Sequence, residues 1–390
     1  MDRCSGPDRA ARERLLREAV RPLPYANFGV RRLSDDGTFM SQNLKRKSGR
    51  RTQNVEELLA AVREIASQPE AYPEARFVLD IISTGLKFTR DRPERGDLKM
   101  LTQAFKELRY GFKVFAPYRS VRKVAVFGSA RTPKEEPAYE QAYAFANSMI
   151  KIGWMVVTGA GPGIMEAAQG GAGRAKSFGV NIRLPFESEA NPVIADDPKL
   201  IHFKYFFTRK VVFVKETDAI ALFPGGFGTL DEAYESLTLI QTGKSELLPL
   251  VFIDHEGSDY WQQWQHHNEK YLRDLGYIDP NDLSLFHLTD SIETATAIIR
   301  KFYSNYHSSR YLFERLVLRL HRPVTDALLD ELNADFSDIL KEGRFERVEC
   351  HEYEAIDEPE TSELHRLGFW FDRKSLGRLR LLVDRLNDEV

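Results

Sequence analysis

The sequence predicts an α/β fold: a doubly wound parallel sheet, preceded by a helical extension and followed by a small α+β module. Three observations carry this expectation. From Val121 to about residue 305, short apolar runs alternate with amphipathic ones. The runs are continuously apolar, as strands covered on both faces are. Three of them lead into glycine-rich turns, at the edge where doubly wound sheets hold ligands.

The elements follow in order. Residues 1–54 are polar and mixed, with a basic cluster from Lys45 to Arg51. No aromatic residues interleave with those charges, so the cluster reads as a solvated, mobile lead-in rather than a nucleic-acid contact. Residues 55–120 form the helical extension. Val55, Leu58, Leu59 and Val62 recur at helical spacing, Phe77, Leu79, Ile81 and Ile82 follow, and Leu101, Phe105 and Leu108 continue the pattern. The central domain spans 121–305. Its candidate strands are Lys123–Phe127, Trp154–Thr158, Gly179–Arg183, Ala219–Phe223 and Leu248–Phe252. Helices are expected to begin near Glu135, Gly163, Thr208, Thr229, Tyr260 and Ser291. Thr132-Pro133-Lys134-Glu135 has capping-box spacing with proline at the first helical position.

The closing module, 310–390, reads β-α-β-β-α: a strand through Leu316–Leu320, a helix Thr325–Lys341, strands Phe345–Tyr353 and Leu367–Phe371, and a helix Arg373–Asn387. That order suggests a small ferredoxin-like or regulatory unit. The acidic stretch Glu352–Glu360 is expected to be an exposed loop. Cys350-His351-Glu352 falls on an expected strand and lacks metal-ligand spacing, so no metal is implied. Trp261, Trp264, Phe369 and Trp370 are expected in the core or an interface, and His266 and His267 on an exposed helix face.

Bulk properties narrow the function classes. The chain has 390 residues, 42% of them hydrophobic and 29% charged, with a formal net charge of -3. That balance gives no reason to expect a nucleic-acid or membrane partner. Two cysteines, Cys4 and Cys350, do not make a disulfide framework. The first residues lack an apolar signal core, and no apolar run approaches the ~20 residues of a membrane span. A cytoplasmic protein is the expectation.

The chemistry gathers at the three turns. Gly128-Ser129-Ala130-Arg131 follows the first strand, and Gly159-Ala160-Gly161-Pro162-Gly163-Ile164-Met165-Glu166 the second. The third, Pro224-Gly225-Gly226-Phe227-Gly228-Thr229-Leu230-Asp231-Glu232, joins the strand ending at Phe223 to a helix. A strand that ends in glycines and opens a helix holds anions, because unpaired N–H groups and the helix dipole converge there. A dinucleotide site would want G-x-G-x-x-G after the first strand and an acid after the second; this chain has neither, so the pocket suits one nucleotide. No Walker loop occurs. Thr229-x-x-Glu232 is also the spacing of a capping box, which leaves structural and catalytic readings of Glu232 open.

Gly128-Ser129, the Gly159–Glu166 turn, Arg209-Lys210 and above all P-G-G-x-G-T-x-x-E resemble the LOG family over about Val121 to Tyr303. These are Rossmann-like, cytokinin-activating nucleoside 5′-monophosphate phosphoribohydrolases, often labelled lysine decarboxylase-like. The flanking segments make the chain more similar to longer bacterial members. Its second turn reads Gly-Ala-Gly-Pro-Gly where short members carry a glycine run. The resemblance implies hydrolysis of an N-glycosidic bond to free base and ribose 5-phosphate, without a cofactor. It implies catalytic roles for Glu232 and Arg209. Gly225, Gly226, Gly228 and Thr229 would hold the 5′-phosphate. Gly128, Ser129, Gly159, Gly161, Glu166, Lys210 and Arg131 would border the pocket. It further implies a homodimer or larger homo-oligomer. Two rivals stand beside it. One is a non-catalytic nucleotide or molybdenum-cofactor carrier on the same fold. The other is a true lysine decarboxylase, for which no pyridoxal phosphate motif is present.

Overall fold

The computed structural model describes residues 60, 64, 75–184 and 189–388. The polar segment 1–54, its basic cluster, Cys4 and most of the first helical run from Val55 lie outside the described residues. Residues up to Pro93 and residues from Glu94 onwards are separate compact units. In the first, helix α1 spans Ala75–Asp91.

The second unit opens with α2, Arg95–Phe115, and continues into a seven-stranded parallel sheet. Its strands are β1 (Lys123–Phe127), β2 (Met155–Thr158), β3 (Ser177–Ile182), β4 (Leu200–Phe203), β5 (Ala219–Leu222), β6 (Leu250–Ile253) and β7 (Phe286–Thr289). They lie in the order β4-β3-β2-β1-β5-β6-β7. The chain order reverses between β1 and β5, so the crevice at their carboxyl ends is the switch point where such sheets bind ligands. Helices α3 (Pro137–Lys151), α4 (Ile164–Ala172), α5 (Phe206–Glu216), α6 (Phe227–Gln241), α7 (Tyr260–Asn268) and α8 (Ile292–Phe302) connect the strands. Among the described residues no helix is long and apolar enough to cross a membrane.

Five of the seven strands match the apolar runs in the sequence. The other two, β4 and β7, are the sheet edges. Edge strands are only half covered, so polar His202 and His287 interrupt them and the run is lost. The first helix starts later than expected. The Thr132–Glu135 capping box does not form. Those residues make a turn in which the Glu136 N–H donates to the Pro133 carbonyl at 3.3 Å. It is Pro137 that stands in the first helical turn, where its missing N–H costs nothing.

The closing module is a four-stranded antiparallel sheet in the order β10-β11-β9-β8. Its strands are β8 (Tyr306–Leu312), β9 (Arg315–Leu320), β10 (Leu340–Arg347) and β11 (His365–Phe371). A hairpin strand, β8, therefore precedes the expected β-α-β-β-α series; within that series β11 lies between β9 and β10 and antiparallel to both, the split β-α-β pairing of a ferredoxin-like unit, with β8 as the added edge strand. Helix α9 spans Asp326–Asp335 and so stops short of Lys341, and β10 begins at Leu340. Residues 352–357 are a short helix, α10, rather than a strand end and an open loop. The reason is Glu354, which is fully buried and ion-paired to Arg319 at 2.8 Å and Arg366 at 3.3 Å. A buried carboxylate held by two guanidiniums anchors a stretch whose composition looks solvated. His351 caps this helix, its Nδ1 accepting from the Tyr353 N–H. Trp261, Trp264 and Phe369 are core residues. Trp370 is half-buried with the Arg315 guanidinium 4.5 Å from its ring. His266 and His267 are exposed.

The module shares its core with the parallel sheet. One continuous apolar cluster holds Phe178, Leu222, Phe252 and Trp261 together with Leu318, Phe345, Phe369 and Leu382. Helix α11 (Leu376–Asp388) seals the junction: Asn387 Oδ1 accepts from the N–H groups of Asn305 and Tyr306, both at 2.9 Å.

Candidate active site

The three turns converge at the β1–β5 crevice because Ser129 ties them together. Its N–H donates to the Pro224 carbonyl at 3.1 Å, and its carbonyl accepts from the Ile164 N–H at 3.0 Å. This closeness needs glycine at two places. Gly163 has φ +65°, and a Cβ there would meet the Ser129 carbonyl oxygen at 2.4 Å. At Gly225 a Cβ would lie 2.2 Å from Thr229 Oγ1 and 2.9 Å from the Ser129 nitrogen. Tyr260 steadies the third turn, its hydroxyl donating to the Gly225 carbonyl at 2.5 Å. Ala160 also adopts φ +62° in a buried position, its N–H donating to Thr158 Oγ1. The departure from an all-glycine turn is thus accommodated at a strained residue beside the site.

A cavity of about 1050 Å³ opens above these turns. Gly128, Ser129, Arg131, Gly159, Gly161, Arg209, Gly226, Gly228, Thr229 and Glu232 line it. Gly226 caps α6, and a Cβ on Gly226 or Gly228 would meet nothing within 4 Å. The first turn of α6 lines the cavity, and the N–H groups of Thr229 and Leu230 are taken by the Gly226 carbonyl, which leaves those of Phe227 and Gly228 for an anion at the helix start. The helix begins at Phe227, so Thr229 stands inside its first turn and is no N-cap; the capping-box reading of Thr229 and Glu232 is overturned.

Glu232 points instead across to α5. Its Oε1 accepts from Arg209 Nη2 at 3.1 Å, and Lys210 Nζ lies 3.7 Å from Oε2. The residue is only 4% exposed. Burial raises its pKa; Arg209 and Lys210 pull the other way without cancelling the rise. Lys210 does not reach the cavity. It also binds Glu235 at 2.7 Å and Asp231 at 2.9 Å, so it cross-ties α5 to α6. Burial opposes its charge, yet these partners raise its pKa. Glu166 turns outward to Lys134 at 2.7 Å and is not on the cavity wall. Gly225 shapes the turn from behind.

Helix α2 fixes where Arg209 stands. Its buried Glu107 accepts from the Lys204 N–H at 2.8 Å and from the Thr208 hydroxyl at 2.6 Å, clamping the start of α5. Sequence reasoning saw only the apolar face of α2 and missed this acid. It also missed Asn181, Phe206 and Phe227 on the cavity wall. Phe227 is 94% exposed, and an amide breaking the apolar run of β3 was the available signal for Asn181. Among the described residues no group of three His, Cys, Asp or Glu is placed to hold a metal.

Residues 164–299 match the family model described as "possible lysine decarboxylase". A cytokinin riboside 5′-monophosphate phosphoribohydrolase of Mycobacterium tuberculosis is 28% identical over 176 residues, 44% of this chain and 90% of that protein. Over this region the chain is similar to the LOG family. A pyrimidine/purine nucleotide 5′-monophosphate nucleosidase of Escherichia coli is 32% identical over 117 residues. That match covers 27% of this chain and only 26% of the nucleosidase, so most of the latter lies outside the match. Among solved structures, a molybdenum cofactor carrier protein from Chlamydomonas reinhardtii is 19% identical, covering 46% of this chain and 97% of the carrier with a TM-score of 0.33. Likeness at that level says nothing about ligand or activity. Within the matched region, residues Gly226 to Leu230 and Glu232 of the P-G-G-x-G-T-x-x-E run wall the cavity.

Proposed function

We propose that this protein hydrolyses the N-glycosidic bond of nucleoside 5′-monophosphates, releasing the free base and ribose 5-phosphate. The observation that carries the reading is the buried Arg209–Glu232 pair on the wall of a cavity that also receives the first turn of α6. The phosphate sits on the N–H groups of Phe227 and Gly228 and the Thr229 hydroxyl, where the helix dipole favours it by up to ~2 kcal/mol. The sugar then lies beside Glu232. As the C1′–N bond breaks, its electron pair leaves with the base and positive charge spreads over the ribose ring. The Glu232 carboxylate faces that charge and polarises the incoming water. The water oxygen bonds to C1′ and its proton ends on the departing base nitrogen. Arg209 orients Glu232 and offers its remaining N–H groups to the phosphoribosyl oxygens.

Purified protein incubated with AMP, GMP, CMP, UMP and N6-substituted AMP tests this. Free base from at least one is expected. No base from any of them, together with tight binding of a pterin cofactor, would favour the carrier reading instead. Self-association through exposed Phe105, Phe206, Phe207 and Val211 on α2 and α5 belongs to the same proposal, and sedimentation analysis tests it.

A further inference from the structure

Asn181 lies next to last in β3, is 6% exposed, and lines the cavity. Its carboxamide makes no hydrogen bond to any described residue. The neighbouring buried amides behave differently. Gln169 Nε2 donates to the Phe178 carbonyl at 3.0 Å, and Asn191 Nδ2 donates to the Gly161 carbonyl at 2.9 Å and to Gln169 Oε1 at 2.7 Å. Buried polar side chains are nearly always paired, and an orphan costs stability. Yet neither polar atom of Asn181 is among the fully enclosed unpaired atoms of the molecule, so its amide opens on the cavity.

The direction fits. Phe178, Val180 and Ile182 of β3 enter the apolar core on one face of the sheet. Asn181 and Gly179 point to the other face, where a Cβ on Gly179 would lie 3.0 Å from the Ala160 Cβ. The amide is therefore on the side of the second glycine turn. The strand order places β3 three positions from β5, at roughly 14 Å for sheet spacing. That is too far for a group seated on the α6 amides. It suits the far end of a molecule whose phosphate is seated there.

We propose that Asn181 is the residue that reads the nucleobase edge. The inference rests on the nucleotide reading of the same cavity. A carboxamide presents a donor beside an acceptor and pairs in two bonds with a base edge that offers the complement. The ligand class is a ribonucleotide whose base carries adjacent donor and acceptor groups. A free sugar phosphate makes no use of Asn181.

The test is calorimetric binding of AMP, GMP, CMP, UMP and ribose 5-phosphate, made in a Glu232→Gln background so that turnover cannot interfere. Asn181→Leu keeps the shape and removes the polar pair. The tightest nucleotide should lose about tenfold or more of its advantage over ribose 5-phosphate, whose own affinity stays unchanged. The ligand-free Leu variant should melt no lower than its parent, because no internal hydrogen bond is lost. An unchanged nucleotide advantage overturns the proposal, as does an equal loss for ribose 5-phosphate. A lower melting temperature, shared by Asn181→Ala, would mean that the amide serves the fold and would overturn it as well. If ribose 5-phosphate does not bind the parent while nucleotides do, the phosphate assignment fails and the Asn181 comparison still stands on the nucleotides. If nothing binds, both readings fall.

Discussion

Glu232 is costly to charge where it stands. Burial raises its pKa, and the proposed chemistry needs it ionised. Turnover on AMP should therefore show an acid limb at a pH above the ~4.3 of an ordinary glutamate, and a kcat/KM profile measures it. Glu232→Gln should flatten that limb and lower kcat by about 10²–10³-fold. A raised folded-state pKa means that stability is greatest with the acid protonated and falls as pH rises through that value. The Gln variant, permanently neutral, should then melt no lower than wild type near neutral pH. Arg209→Ala should lower kcat similarly but also cost about 1–3 kcal/mol in urea unfolding, because it leaves buried Glu232 without its hydrogen-bonded partner. At this scale the sequence was partly legible. Glu232 closes the continuous Pro224–Glu232 run and Arg209 stands in a separate Arg-Lys pair upstream, but the spacing of Thr229 and Glu232 fits a cap equally well. Only the helix start at Phe227 removes that ambiguity. Glu166 and Lys210 lie near the right turns, and their partners Lys134, Glu235 and Asp231 turn them from the cavity; no local spacing reports such partners.

At the scale of elements, buried acids hold helices in place. Glu107 clamps the start of the helix that bears Arg209. Glu107→Ala should lower kcat on AMP about tenfold or more through misplacement of Arg209, with the phosphate site and ribose 5-phosphate inhibition unaltered. Glu354 does the same for the module. Burial opposes its charge, yet hydrogen bonding from Arg319 and the charge of Arg366 hold its pKa below the usual range. Its stabilising contribution is thus present above the unfolded carboxylate pKa and is lost as pH falls through the lower folded value. Glu354→Ala should cost about 3–5 kcal/mol in urea at neutral pH, since buried Arg366 loses its counter-charge and Arg319 keeps only that of Glu358, and the difference should shrink in acid. The central strands were legible because both faces are covered and every position is apolar. The edge strands β4 and β7, and the helix around Glu354, were not, since their polar residues take meaning only from tertiary partners.

For the whole molecule, the module is part of the fold. Leu318, Phe345 and Leu382 complete the core that Phe178 and Phe252 begin, and Asn387 satisfies backbone N–H groups at the junction. Truncation at residue 310 should give insoluble protein, and the intact chain from Glu94 should unfold in one cooperative transition, followed by circular dichroism in urea. The α/β class and its ligand edge could be read from the alternating runs and glycine turns. The shared core could not, because an apolar strand does not declare which sheet it will face. The proposed reaction of the Arg209–Glu232 cavity, cleavage of a C–N bond, leaves a distinct set of products. Product analysis of AMP turned over by wild type and Glu232→Gln tests it most directly. Adenine and ribose 5-phosphate in equal amounts, lost with the Gln variant, is the result expected; adenosine and inorganic phosphate, or undiminished release by the variant, would contradict it.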